Sequence, residues 1–148
     1  MKICLACSAG GHLTEILQLL PILENYDFFF FTFGTGHSKL TLKKYKSYFT
    51  IDPLRKPLKM LKVIFHSLFV LFKERPDVII STGANVTVPI CLLGKLFGSR
   101  LIYIECSAQV FKPSLSGKLL YHFSNLFFVQ WKYLIKYYKN AIYGGNLI

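Results

Sequence analysis

The sequence predicts an α/β fold, a parallel sheet with helices on both faces. Three observations point there. Short apolar runs without a polar face recur along the chain, helix-period segments separate them, and glycine or polar turns follow several runs at their carboxyl ends. A strand with no hydrophilic alternation is buried on both sides, which is the condition of a strand in a parallel sheet. The 148 residues are expected to form one domain, residues 1–148, long enough to enclose a sizeable core.

The elements follow in order. Residues 3–7 read as the first strand, and from His12 onward Leu13, Ile16, Leu17, Leu20 and Leu23 recur at helical spacing. Residues 27–33 (DFFFFTF) are a second strand, too continuously apolar to face solvent. A lysine-rich segment, 39–46, leads to a third strand over 47–52. The span 56–75 is a long helix that begins near Pro57 and ends before Pro76. Residues 77–81 make the fourth strand, 85–97 a helix closed by Gly98, and 100–105 the fifth strand. A loop through Pro113 reaches a helix at 115–123. A sixth strand at 126–130, a short helix at 131–138 and a short last strand at 140–143 complete the chain.

Notable residues gather at the carboxyl ends of the strands, where a sheet of this kind holds its ligands. After the first strand comes Ser8-Ala9-Gly10-Gly11-His12. Two glycines let the backbone bend sharply and expose its N–H groups, and the following helix adds its positive end, which suits a phosphate or diphosphate. His12 stands at the rim, where a helix terminus favours a neutral imidazole able to accept a proton. A plain glycine turn with a histidine near the cap explains the same residues. The fourth strand leads into Thr82-Gly83-Ala84-Asn85, again a glycine and a helix start, although Asn85 also reads as an ordinary N-cap. Glu105 ends the fifth strand as a buried acid, a hydrogen-bonding anchor for a sugar, or a structural partner of a nearby N–H.

Composition narrows the partners. Hydrophobic residues make up 53% and charged residues only 17%, yet the net charge is +11. A greasy body with lysine-rich edges points to an anionic membrane surface or a lipid-linked anionic substrate. The nine tyrosines lie largely within apolar runs rather than among the lysines, so no nucleic-acid partner is expected. The longest apolar run, near 63–72, is interrupted by His66 and Ser67 and falls short of the roughly 20 residues of a membrane span. With no signal-peptide pattern ahead of the first strand, the expected location is cytoplasmic, peripheral on the inner face of the cell membrane. The helix at 56–75 would make the contact. Lys59, Lys62, His66 and Lys73 line one stripe of it, with Lys56 at its start, beside a wide apolar arc that includes Phe65 and Phe69.

Cys4 and Cys7 have C-x-x-C spacing but lie on a strand, where an offset of three residues puts them on opposite faces. All four cysteines are read as small core residues, and neither a metal nor a cofactor is expected.

Five blocks in order resemble a family: Ser8-Ala9-Gly10-Gly11-His12-Leu13-Thr14-Glu15, Arg75 to Gly83, Tyr103-Ile104-Glu105-Cys106, Pro113 to Lys118, and Leu126 to Trp131. Together they resemble the acceptor-side subunit of two-chain GT-B glycosyltransferases of the bacterial PssD/CpsF type. The chain is similar as well to the eukaryotic dolichol-diphosphate N-acetylglucosaminyltransferase subunit and to the N-terminal domain of MurG. The resemblance implies a Rossmann-like sheet equivalent to the N-terminal half of a GT-B enzyme. It implies a polyprenyl-diphosphate-linked sugar acceptor and a separate donor-binding subunit that supplies the UDP-sugar, with the chain inactive alone. On this reading the diphosphate lies against N–H groups around Gly10, Gly11, Thr82 and Gly83 with Asn85 nearby, His12 is the candidate base, and Glu105 is the runner-up. The family pattern would put an arginine where Gln109 stands, with Lys112 the nearest substitute. Leu147 and Ile148, in an apolar C-terminal run, are expected at the partner interface.

Two other readings compete. A free-standing Rossmann-like nucleotide-binding protein would carry G-x-G-x-x-G and an acid after the second strand, but Phe33-Gly34-Thr35 stands there. A nucleic-acid binder would use the +11 charge, against the placement of the aromatics.

Overall fold

Seven strands pair in parallel in the order β3-β2-β1-β4-β5-β6-β7 in the computed structural model, which describes all residues 1–148. They are β1 Lys2–Ala6, β2 Asp27–Phe33, β3 Ser47–Thr50, β4 Val78–Ser81, β5 Arg100–Ile104, β6 Leu126–Val129 and β7 Ile142–Tyr143. The helices are α1 Gly11–Leu17, α2 Leu20–Leu23, α3 Gly36–Thr41, α4 Pro57–Glu74, α5 Val88–Leu96 and α6 Leu115–Leu120. Three-residue and five-residue 3₁₀ turns cover Asn85–Thr87 and Lys132–Lys136.

The expected Rossmann-like architecture is present. Alternate residues of each strand feed two separate cores. Phe29 and Phe31 of β2 join Cys4, Ala6, Ile79, Leu101 and Tyr103 against α4, α5 and α6. Phe30 joins Ile3, Leu5, Val78 and Ile80 against α1 and α2. Cys4 and Cys7 fall in opposite cores, as their strand spacing requires.

Helix boundaries differ from the sequence reading where proline intervenes. The first helix is split at Gln18 and Leu19, because Pro21 has no N–H and its ring crowds the carbonyl of Leu17. The helix expected at 85–97 begins as a 3₁₀ turn and becomes α-helical only at Val88, one residue before Pro89. The second sheet face is also less covered than expected. α1 and α2 shield β1 and β2, but over β4, β5 and β6 an apolar groove of about 340 Å³ lies between Leu19, Ile22, Ile102, Phe128 and Leu147.

At the amino ends of the strands, α4 closes on a buried carboxylate. Glu74 is 4% exposed and accepts from Lys46 Nζ at 2.8 Å, from Lys2 Nζ at 3.1 Å and from the Tyr48 hydroxyl. Burial by itself would raise the Glu74 carboxyl, but the bonds from Lys46, Tyr48 and Lys2 outweigh it and hold the group at about 2, against an ordinary 4.5. A folded value below the unfolded one stabilises the fold above the unfolded value, and the gain is lost as pH falls from 4.5 toward 2. The contribution at neutral pH is up to about 3 kcal/mol. Urea denaturation is expected to show stability dropping across that acid window. Glu74→Gln is expected to lower stability at pH 7 and to flatten the acid slope. An unchanged slope in the variant would place the acid-sensitive group elsewhere.

Candidate functional site

A cleft of about 610 Å³ opens at the carboxyl edge of the sheet. It is bounded by His12 after β1, Arg55 ahead of α4, Ala84 and Asn85 after β4, Cys106 and Gln109 after β5, and Ser114 and Ser116 at the start of α6. Four loops far apart in sequence therefore meet at one place, on the edge where a parallel sheet binds its ligands.

Its first wall is the glycine loop. Gly10 has φ +85°, in the region that residues with a Cβ rarely adopt, and this turns the chain into α1. The first intrahelical bond is from Thr14 N–H to the Gly10 carbonyl at 3.0 Å. The N–H groups of Gly10, Gly11 and His12 have no acceptor within the protein, and both glycines are exposed. Open amides of this kind offer hydrogen bonds to an anionic oxygen.

His12 is fixed by a reciprocal pair of bonds to the loop after β4. Its Nδ1 lies 2.7 Å from the Thr82 carbonyl, and Thr82 Oγ1 donates to the His12 carbonyl at 2.9 Å. A carbonyl only accepts, so Nδ1 carries the hydrogen and the lone pair of the neutral ring sits on Nε2. The imidazole is half-buried and lines the cleft.

The loop after β4 does not serve as expected. Thr82 and Gly83 are buried, the Thr82 N–H goes to the Ala6 carbonyl at 3.3 Å, and the Gly83 N–H goes to Ser81 Oγ at 3.0 Å. Neither amide is free for a diphosphate, and neither residue lines the cleft. Gly83, at φ +98°, is required for a different reason. A Cβ there would stand 2.5 Å from the Tyr103 hydroxyl. Asn85 is not an N-cap either: Ala84 takes that position at φ 82°, and Asn85 is exposed at the cleft wall.

For Glu105 the structural alternative holds, a partner of nearby N–H groups, and the role of runner-up base is corrected. It is fully buried, and its carboxylate accepts from Tyr138 Oη at 2.8 Å, Ser114 N–H at 3.2 Å and Cys106 N–H at 3.3 Å. It anchors the start of α6 from beneath and presents no atom to the cleft. Burial and then the Glu105 charge push the Tyr138 hydroxyl well above its usual range, which keeps it a donor. Burial raises the cysteines too. Cys7 and Cys91 are pushed up to about 12 and Cys106 to about 11, so all three are thiols at neutral pH.

Two residues at the site escaped the sequence reading. Arg55 brings a cation into the cleft from a loop in which Leu54 and Arg55 both have positive φ, at 46° and 57°. It stands where Lys112, exposed and outside the cleft lining, was the expected substitute. Its one sequence signal was its place just after the third strand, on the carboxyl edge. Glu15 is 1% exposed and ties α1 to the loop after β5, accepting from Ser107 N–H at 2.7 Å. Its spacing of three from His12 puts both on one side of α1.

The expected membrane helix exposes its apolar arc. Val63, Ser67, Val70, Leu71 and Glu74 face the sheet, while Leu58, Phe65 and Phe69 are 78%, 68% and 56% exposed. Lys56 and Lys62 stand exposed beside them and Lys59 is half-buried. His66 leaves the lysine stripe, because its ring packs on Phe31 and Phe69. No helix is long and apolar enough to cross a membrane. At the C-terminus, Leu147 is half-buried on the uncovered groove with its N–H on Gln130 Oε1 at 2.8 Å, and Ile148 is exposed.

Comparison with known proteins bears on this arrangement. A family model described as "Oligosaccharide biosynthesis protein Alg14 like" matches residues 52–147. The human UDP-N-acetylglucosamine transferase subunit ALG14 is 26% identical, with all of this chain and 83% of the human one aligned. The Candida albicans subunit of the same name is 30% identical over 99% of this chain and 78% of its own. Among solved structures, Acinetobacter baumannii MurG superposes with a TM-score of 0.76 at 17% identity, over 90% of this chain. Neisseria meningitidis UDP-GlcNAc 2-epimerase gives 0.75 at 14% over 99%. These two show the fold, and the chain spans less than half of each, 43% and 47%. With most of its length under the family model and its sheet, cleft and glycine loop in place, the chain belongs to the Alg14-like family of oligosaccharide biosynthesis proteins.

Proposed function

We propose that this chain is the acceptor-binding subunit of a glycosyltransferase acting on a polyprenyl-diphosphate-linked sugar. A separate donor-binding subunit supplies the UDP-sugar, and capsule or exopolysaccharide assembly is the context. On this reading the chain is inactive without that subunit. The observation that carries the reading is the pairing of open Gly10–His12 amides with an imidazole whose lone pair is fixed on Nε2.

The acceptor diphosphate takes the free amides of the glycine loop, and Arg55 neutralises part of its charge. The acceptor hydroxyl then lies against His12. As its oxygen attacks the anomeric carbon, the bond from that carbon to the UDP oxygen breaks and UDP leaves with the electron pair. The hydroxyl proton passes to His12 Nε2, and the Thr82 carbonyl accepts the Nδ1 hydrogen of the resulting imidazolium. The lipid tail leads toward α4, whose exposed leucines and phenylalanines enter an anionic leaflet on the cytoplasmic side while the lysines meet its headgroups. The donor-binding subunit seats against the apolar groove and the C-terminal run, covering Leu147 and Ile148.

His12→Ala, assayed in the assembled complex on lipid-linked acceptor, is expected to lower turnover by about 10²–10⁴-fold with partner binding unchanged. Turnover within a few-fold of wild type would remove His12 from the chemistry.

Reversal of Lys56, Lys59, Lys62 and Lys73 to glutamate is expected to release the protein from anionic vesicles in sedimentation. Each lysine contributes about 1 kcal/mol near such a surface. Undiminished sedimentation would mean that α4 is covered by protein instead of lipid.

A further inference from the structure

We propose that His12, Glu15 and Cys106 form a binding site for a zinc-like divalent transition metal at the floor of the cleft. A ring nitrogen of His12, a carboxylate oxygen of Glu15 and Sγ of Cys106 all lie within 4.8 Å of one another. The residues come from α1 and the loop after β5, and 91 positions separate Glu15 from Cys106.

Glu15 makes this more than a chance cluster. It is 1% exposed, and its Oε2 has no hydrogen-bond partner while its Oε1 holds Ser107 N–H. A buried carboxylate oxygen with no neighbour to satisfy it but the weak donor of the Cys106 thiol is costly to hold, and a cation there removes that cost. The surroundings have the arrangement that supports metal ligands. His12 has its Nδ1 hydrogen on the Thr82 carbonyl at 2.7 Å, which orients the ring and leaves Nε2 as the donor atom. The carboxylate is oriented in the same way by the Ser107 amide.

Donor chemistry selects the metal. Nitrogen, carboxylate oxygen and sulfur together suit Zn²⁺, whereas Mg²⁺ and Ca²⁺ take oxygen ligands. Tetrahedral zinc, with bonds of about 2.0–2.3 Å, brings its ligand atoms to roughly 3.5 Å apart. The donor atoms close from within 4.8 Å by side-chain rotation at Cys106, half-buried at the cleft, while His12 stays on the Thr82 carbonyl. On coordination the Cys106 thiol releases its proton to solvent, and no electron is transferred. Three protein ligands leave a fourth position for water or an anionic oxygen entering from the cleft. The other three cysteines are buried, so Cys106 is the thiol within reach of solution metal.

Metal at His12 Nε2 would occupy the atom assigned to accept the acceptor proton, making the site inhibitory. That consequence rests on the proposed function, but metal binding itself does not. The test is titration of the purified chain with Co²⁺, read by thiolate-to-metal charge-transfer absorption, followed by displacement with Zn²⁺ against a chelator. One metal per chain is expected. Cys106→Ser, close in size and at a half-buried position, is expected to abolish the absorption and weaken Zn²⁺ at least tenfold. Glu15→Gln, which keeps an acceptor for Ser107, is expected to weaken Zn²⁺ by at least as much, and Cys106→Ser decides alone if the glutamine variant does not fold. Absence of stoichiometric binding, or Zn²⁺ affinity unchanged by Cys106→Ser, overturns the site. Because the absorption reports metal alone, an inactive complex would not affect this result.

Discussion

Strands β1 and β4 pair in register from Ile3–Val78 to Ala6–Ser81, and beyond that point their chains part. The chain after β1 turns through α1 toward β2 on one side, and the chain after β4 turns through α5 toward β5 on the other. This divergence opens the cleft, and the two bonds between His12 and Thr82 are the rivet that keeps its width fixed. The rest of the site hangs on that junction. The open Gly10–His12 amides lie beside it, and Gly83 must lack a side chain for the junction to close over Tyr103. Glu15 and Glu105 extend the lacing to the loop after β5, one from α1 and the other from beneath α6.

How much of this was legible in the residues depended on whether the signal was local. The run 27–33 has the bounds of β2 because a strand buried on both faces leaves no polar residue to mark a solvent side. The Gly10-Gly11-His12 turn was visible for a similar reason, since glycines between a strand and a helix demand a tight bend. Glu105 was not legible. An acid at the end of an apolar strand can face the cleft or lie beneath it, and Ser114 and Tyr138, 9 and 33 residues further on, decide which. The free amides could not be assigned to one loop over the other, because Ser81 Oγ caps Gly83 through a side-chain bond that spacing does not reveal. Arg55 was hidden by a loop whose positive φ angles follow no glycine.

The distribution of charge and apolar surface also resolves an ambiguity of composition. A net +11 with few charged residues leaves most of the exterior to apolar atoms. Much of that surface is concentrated. One patch lies on α4 and continues through Leu96 and Phe97, where Phe72 and Phe97 meet at 5.2 Å. The other is the groove over β4 to β6. Contiguous patches of this kind mark surfaces that are covered in use. Lysines border the α4 patch, as an anionic leaflet would favour, and the groove contributes little polar lining beyond Gln130. On the proposed reading the two surfaces take different coverings, lipid on one and protein on the other.

On the proposed reading the acceptor diphosphate binds the open amides of the glycine loop. Backbone amide NMR of the chain with a short-chain prenyl diphosphate tests it most directly. The largest chemical-shift changes are expected at Gly10, Gly11 and His12, with a smaller change at Arg55 and none at the buried Gly83 amide. Changes confined to the amino edge of the sheet, around Arg75 and Gly98, or a uniform response lost on adding salt, would contradict it.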